Sequence, residues 1–443
     1  MTGPLAPEIY DRTRAVGSWW EASLPPAPPR PSLAGEVTTD VAIIGGGFAG
    51  LNAARALAMR GIEAVVLEAG AVGWGASGRN GGICGPGGDK LSAQALRRRY
   101  GEAEVARYHA AQAEAVAWVR AFAEAEGLGD VLQGDGEIVL AHSPRAARDL
   151  AALSTSDPEH HVPLPPSGLD DIARHGGVMM KPAFGIHPLA YVRALGEAAE
   201  RAGARVLERS EVIRWGRDGA RHRLETATGA LTADRLLIAT NGFTPGGLSP
   251  ALSGLAVPVI SNIAVTRPLT AEERARHPWL GEHPAADTRH MLSYFRVLPD
   301  GRFLLGARGD TRGSDAGTPA MRAHVAARIA AELPGFAGAE ITHFWRGPIA
   351  ATTRLTPAVG WLDRERRVAL ALGWHGSGIA LASLGGRLAA EVLASGSEEG
   401  VPLAMRGRPR RLPLPGLVPL YVGAAMGLYR AMDALSFLPS RKG

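Results

Sequence analysis

The sequence predicts an α/β fold, α+β when the whole chain is counted, and three observations predict it. First, an apolar run, Val41 to Ile44, leads into Gly45, Gly47 and Gly50 with G-x-G-x-x-G spacing. An alanine- and leucine-rich stretch follows, Asn52 to Met59, and then a second apolar run, Ala64 to Leu67, closed by Glu68. Second, far along the chain, another glycine-rich loop, Gly373-Trp374-His375-Gly376-Ser377-Gly378-Ile379, opens a helical stretch from Ala380 to Leu393. Third, strand-like runs separated by turn residues fill the region between Val257 and Gly306. Strand, glycine turn, helix, strand and acid in that order make a Rossmann-like nucleotide-binding unit. The sequence therefore reads as such a domain assembled from discontinuous segments, with an antiparallel-sheet domain inserted.

Each residue type in the first unit has a physical role. Gly45 permits a tight turn out of the strand, Gly47 lets a pyrophosphate approach the backbone, and Gly50 lets the helix lie against the sheet. The free N–H groups at that helix N-terminus face the phosphates. Glu68 stands where a carboxylate accepts hydrogen bonds from ribose hydroxyls and repels a 2′-phosphate. The alternative is a chance glycine cluster in a chain with 57 glycines. The ordered elements around it argue against chance.

The remaining elements follow in order. Residues 1–38 form a lead-in, with Trp19 and Trp20 as an anchor and a proline-rich linker from Pro25 to Pro31. Ser92 to Leu128 reads as one helix, with Tyr108, Trp118 and Phe122 on its buried side. Gly136 to His142 is a strand and Pro144 to Leu153 a helix, followed by a looser, proline-rich segment. Leu189 to Ala202 is a helix stopped by Gly203. Arg205 to Leu207 and Val212 to Trp215 are strands. Leu224 to Thr226 and Ala230 to Thr232 make a hairpin, and Arg235 to Ala239 is a separate buried strand. Val257 to Val265, Ser293 to Val297 and Phe303 to Gly306 are strands, Asp300-Gly301 is a hairpin turn, and Met321 to Leu333 is a helix. The expected domains are 39–127, 186–250 and 344–400 for the nucleotide, and 128–185 with 251–343 for the substrate. A basic, apolar tail covers 401–443.

Composition bounds the function. The 443 residues allow two or three domains, and 46% apolar with 21% charged residues is ordinary for a globular enzyme with a sizeable core. The net charge of +5 is dispersed. The runs Arg97–Arg99 and Arg406–Arg411 read as solvated faces, so no nucleic-acid partner is expected. A single cysteine, Cys84, excludes an intrachain disulfide and a cysteine-rich metal site, and no metal is expected. No basic-then-apolar leader and no uninterrupted apolar run of spanning length occur, which points to a cytoplasmic protein.

The small-residue loop Gly73 to Gly82, GWGASGRNGG, decides between nucleotides. It resembles the flavin-contacting segment of the D-amino-acid oxidase and glycine oxidase superfamily. Within it, the segment resembles the amine-oxidising members that include γ-glutamylputrescine oxidoreductase. Phe184-Gly185-Ile186-His187-Pro188, Tyr294-Phe295-Arg296 with Asp300-Gly301-Arg302, and Phe344-Trp345-Arg346-Gly347-Pro348 resemble further segments of that superfamily. In the Gly373 loop the pattern is altered: histidine precedes glycine, and Ser377 stands in the usual histidine place.

The resemblance implies FAD, bound non-covalently. Gly45, Gly47, Phe48, Ala49 and Gly50, with Glu68 and Ala69, would hold its nucleotide end. Gly75, Ala76, Ser77, Arg79, Asn80, Gly81 and Gly82 would run under the ribityl chain and ring. Val212 would meet the adenine through its backbone, and Thr240, Asn241 and Gly242 would close the sheet beside the cofactor. Gly373, His375, Gly376, Ser377, Gly378 and Ile379 would bring a helix N-terminus to the ring's N1/C2=O edge.

The implied reaction oxidises a primary or secondary amine or amino acid to an imine. A hydride passes to flavin N5 and the imine then hydrolyses. The candidates for substrate contact are Tyr294, Arg296, Trp345, Arg354 and His375. An arginine could clamp a carboxylate, while core packing or a structural ion pair is the alternative for each. No cysteine lies beyond Cys84, which excludes the flavin linkage of sarcosine-oxidase-like members. No lysine occurs between Lys181 and Lys442, where those members keep one that speeds reaction with oxygen. The acceptor is thus oxygen or, alternatively, a quinone or carrier protein, and a non-catalytic flavin-bearing subunit is the rival of another class. The tail, with Arg406, Arg408, Arg410 and Arg411 before an apolar stretch from Leu417 to Phe437, reads as a helix docked on the body or on a second subunit, or as a membrane-surface helix.

Overall fold

Alternation along the first strand sets the architecture. The computed structural model describes residues 3–88, 90–244 and 247–437. In the strand Gly35–Ile44, Val41 and Ile43 point into one apolar cluster, and Ala42 and Ile44 into another on the opposite face. Both faces of this sheet are therefore covered, as a parallel sheet requires. Its central strands run parallel in the order Arg205–Leu207, Ala64–Leu67, Gly35–Ile44, Gly229–Ile238, Val368–Leu372. On the first face lie the helices Phe48–Ala58, Pro188–Arg201 and Gly378–Ser395.

The helices Phe48–Ala58 and Gly378–Ser395 cross at small residues. A Cβ on Gly386 would overlap the carbonyl oxygen of Ala49. A Cβ on Gly50 would overlap that of Gly45, which presses the helix onto its own turn. By length and apolarity Gly378–Ser395 could also cross a bilayer, but here it is largely buried against the sheet and its neighbouring helix.

The second sheet holds eight strands among the described residues, in the order Ile341–Ala351, Val257–Pro268, Arg302–Arg308, Ser293–Val297, Ala285–Asp287, Glu137–Leu140, Gly177–Met180, His161–Leu164. It is antiparallel except where Ala285–Asp287 meets Glu137–Leu140. Phe295, Phe303 and Phe336 fill the core behind it. Ile341–Ala351, expected from residue 344 onward to serve the nucleotide domain, pairs along its length with Val257–Pro268 of this sheet.

Several expected boundaries move, each for a local reason. β-Branched Val37, Thr38 and Thr39 carry the first strand back to Gly35. The helix expected over 92–128 breaks at Gly101 (φ +84°) into Ala93–Tyr100 and Glu102–Ala125. The hairpin arm at 230–232 and the buried strand at 235–239 are one strand, Gly229–Ile238. Val212 precedes its expected strand, which starts at Arg214. The Ser210 amide donates to the Glu68 carbonyl there and holds the chain off the ladder. The proline-rich segment contains a strand, His161–Leu164, which tolerates Pro163 because it lies at a sheet edge.

The lead-in and the tail both pack on the body. Trp20 is buried, and its Nε1 donates to the Asn80 carbonyl at 2.8 Å. The tail helix Val418–Leu435 lays Val418, Val422 and Met426 against Met291. Its Asp433 accepts from the backbone amides of His290 (2.8 Å) and Met291 (3.0 Å). Leu420, Leu428 and Leu435 face outward. The end of the expected tail, 438–443, lies outside the described residues.

Candidate active site

The glycine loops converge on one cavity of about 420 Å³, floored by the second sheet. Two helices open into it without a side-chain cap from their N-cap residue: Phe48–Ala58 after Gly47, and Gly378–Ser395 after Ser377. Their first N–H groups and positive dipole ends are directed at whatever fills the space. Ser77 Oγ reaches across and accepts from the Phe48 amide at 3.0 Å.

Glu68 sits at the end of the second strand. Its carboxylate accepts from the Gly46 amide (2.7 Å) and the Gly70 amide (2.8 Å). Burial raises its pKa above the ordinary glutamate range, against the pull of those two amides. Gly45, Gly47, Phe48, Ala49, Ala69, Gly75, Ala76 and Gly81 line the same space, as do Val212, Thr240, Asn241, Gly376, Gly378 and Ile379.

Arg79 and Asn80 also line it, but their polar atoms are engaged locally. The Arg79 guanidinium donates to the carbonyls of Trp74 and Arg346 and lies 4.4 Å from the Trp74 ring centroid. Asn80 donates to the Ala76 and Ser77 carbonyls and accepts from the Gly82 amide. These two side chains shape the loop that was expected to run under the ribityl chain and ring. Gly50, Gly82, Gly242 and Gly373 stand outside the lining. At Gly82 (φ +71°) a Cβ would run into the Ile186 carbonyl, so it shapes the wall from behind.

Of the expected substrate contacts, two face the cavity. Tyr294 packs its ring over Gly81, and its hydroxyl is 2.9 Å from Ser261 Oγ. Burial pushes that phenol up to about 12. His375 adopts φ 52°, and its Nε2 accepts from the Thr352 amide at 3.2 Å. Burial, then the charge of Lys90, lowers its pKa to about 4, so the imidazole is neutral.

The other three lie elsewhere. Arg296 is buried beneath Gly82 and Gly185, donates to the Ile186 carbonyl at 2.8 Å, and stands 5.5 Å from the Trp20 ring centroid. Arg354 donates to carbonyls of the tail, at 2.8 Å for Arg406. Trp345 is buried and donates to the Arg79 carbonyl. In sequence an arginine aimed at a ligand and one aimed at remote carbonyls look alike.

Sequence reasoning missed Arg12, Lys90, Glu137 and Arg308, all of which line the cavity. The available signal was a charge placed next to an apolar strand run, as in Glu137-Ile138-Val139-Leu140 and Leu304-Leu305-Gly306-Ala307-Arg308.

A glycine-lined cradle with two helix N-termini and a ribose-ready carboxylate fits a dinucleotide. The model of the DAO family, described as FAD dependent oxidoreductase, matches residues 40–392. The chain belongs to that family. It is an FAD-dependent oxidoreductase of the DAO family, with the fold expected above. The chain is 32% identical over 400 residues to "Probable oxidoreductase OrdL" of Rhizobium meliloti, covering 86% of this chain and 89% of that one. It is 27% identical over 417 residues to the gamma-glutamylputrescine oxidoreductase of Escherichia coli, covering 87% and 91%. Among solved structures, glycine oxidase from Geobacillus kaustophilus superposes with a TM-score of 0.66 at 24% identity, covering 81% of this chain and 95% of that one.

Proposed function

We propose that this DAO-family enzyme oxidises a primary or secondary amine or amino acid at the carbon bearing nitrogen, giving an imine that hydrolyses. The observation that carries this reading is one shared cavity, lined by the glycine loops and two helix N-termini together with Tyr294 and the neutral His375. The relative named gamma-glutamylputrescine oxidoreductase supports an amine as substrate. FAD, when bound, supplies the two-electron acceptor at its ring.

The chain's own residues do the rest. The N-terminus of Phe48–Ala58 and the turn Gly45–Gly47 would hold the pyrophosphate, and Glu68 would hold the ribose. The loop Gly75–Gly81 and the segment His375–Ile379 would flank the ring. Trp374, Tyr294 and Ile263 present apolar surface to the cavity. The apolar part of the wall, with Trp374 and Ile263, disfavours the ammonium form and leaves the reacting amine neutral, as its oxidation requires. FAD is held without a covalent bond. Cys84 is buried outside the lining, and burial raises its thiol pKa far above the ordinary range.

Oxygen is the acceptor in this reading, favoured by the cation of Lys90 in the cavity wall. A quinone or carrier protein is the second reading, favoured by the apolar outer face of the tail helix.

The test is anaerobic mixing of the FAD-loaded enzyme with amines, N-methyl amino acids and D-amino acids, followed by air. Bleaching of the flavin by a member of the panel, and recovery of colour in air, is the expected result. A flavin that no amine bleaches defeats the reading. One that bleaches but recovers only with a quinone transfers the acceptor assignment.

A further inference from the structure

Two charged side chains line the cavity from the second sheet and have no hydrogen-bond or ion-pair partner among the described residues. Arg308 closes the strand Arg302–Arg308, opposite Ser261. Glu137 opens the strand Glu137–Leu140, with its carboxylate against Gly85. Among the described residues neither has a hydrogen bond or an ion pair through its side chain. Burial lowers the Arg308 pKa, against a weaker pull from Tyr294 and Tyr429, and raises that of Glu137 to about 7. An unpaired charge in a cavity is costly and is retained where a ligand completes it.

Sheet register fixes their relation. Gly306 pairs with Tyr294, Tyr294 with Ala286, and Ala286 with Val139. Directly paired residues share a face, as do residues two apart on one strand. Arg308 and Glu137 therefore lie on the face that carries Tyr294. Three strand spacings separate their backbones, about 14 Å. They are offset in opposite directions along the strands, which widens the gap. An α-amino acid carries its two charges one carbon apart and cannot reach both.

We propose that Arg308 and Glu137 are the two poles of the substrate site, and that the substrate is an elongated amine that carries, apart from the neutral nitrogen that is oxidised, a carboxylate at one end, held by Arg308, and a second, cationic nitrogen at the other, held by Glu137. This rests on the amine-oxidising reading and narrows its substrate class. Arginine suits the anionic pole because its planar fork pairs with both carboxylate oxygens.

The test uses ligands that bind but cannot react. 6-(Trimethylammonio)hexanoate carries a carboxylate and a permanent cation on a long chain, and trimethylammonioacetate carries the same groups one carbon apart. Calorimetric titration of the FAD-loaded enzyme should show the long zwitterion binding about tenfold or more tighter than the short one. Arg308→Met and Glu137→Gln should each abolish most of that preference, and Arg308→Lys should keep part of it. Equal affinity for the two zwitterions, no binding of the long one, or wild-type binding by both variants would overturn the proposal. Should the zwitterions behave as stated while no amine bleaches the flavin, the two-pole site stands and the reaction assigned to it falls.

Discussion

The indole Nε1 of Trp345 donates to the carbonyl oxygen of Arg79 at 2.8 Å. This bond ties the second sheet to the small-residue loop Gly75–Gly81 in the cavity wall. Trp345 thus acts on the site through the Arg79 backbone. Trp345→Phe keeps most of the apolar packing but leaves a buried carbonyl without its donor, a loss of about 1–3 kcal/mol. The expected result is a lower melting temperature and weaker FAD retention on gel filtration. Binding of unreactive zwitterions to enzyme still loaded with FAD should be unchanged. A selective loss of ligand binding would instead make Trp345 a substrate contact.

Gly386→Ala should be far more damaging than its size suggests. The added methyl would overlap the Ala49 carbonyl, which is backbone and cannot swing away. Overpacking of this kind costs about 1–3 kcal/mol or more. It would also push apart the two helices whose N-termini face the cavity. Purified protein should be recovered with little FAD. Gly400→Ala, whose nearest neighbour is the flexible end of Glu391, serves as the tolerated control.

His375 gives the stability a pH signature. Its pKa drops from the ordinary 6.5 to about 4 in the folded protein. Below pH 6.5 the unfolded chain takes up a proton that the folded one refuses, so stability is lost as pH falls from 6.5 towards 4. At pH 5 the loss from this group is about 2 kcal/mol. Glu137 works in the opposite sense. With its pKa raised from 4.5 to about 7, stability is gained as pH falls through that window. Urea denaturation of wild type and His375→Gln at pH 7 and pH 5 isolates the histidine. The variant should lose less stability on acidification. Parallel losses would show that the imidazole titrates normally.

Lys90 lines the cavity in a chain with only three lysines. If oxygen is the acceptor, a cation in that wall steadies the negative charge that oxygen gains on reduction. Lys90→Met should slow reoxidation of the bleached enzyme in air by about 10-fold or more. The rate of anaerobic bleaching should stay within a few-fold of wild type. Stopped-flow absorbance separates the two steps, and an unchanged reoxidation rate would remove Lys90 from that role.

What the sequence made legible was local chemistry. The spacing Gly45-x-Gly47-x-x-Gly50, the apolar runs beside it and the Gly373–Ile379 loop each need only a few consecutive residues to be recognised. Ala64–Leu67, Arg205–Leu207 and Ser293–Val297 begin and end where the apolar pattern places them. What stayed hidden depends on partners far away in the chain. Arg296 and Arg354 were separated from a substrate role by the carbonyls of Ile186 and Arg406. Glu137 and Arg308 acquire meaning only from the order of strands between them. Pro163 masked a strand because an edge position, which excuses the missing N–H, cannot be read from the residues around it.

The crossing of Phe48–Ala58 with Gly378–Ser395 has a consequence for biosynthesis. The first helix leaves the ribosome early, with its alanine-rich flank bare until the second is made. During most of translation the cavity therefore lacks one of the two helix N-termini that face it, because that helix has yet to be synthesised.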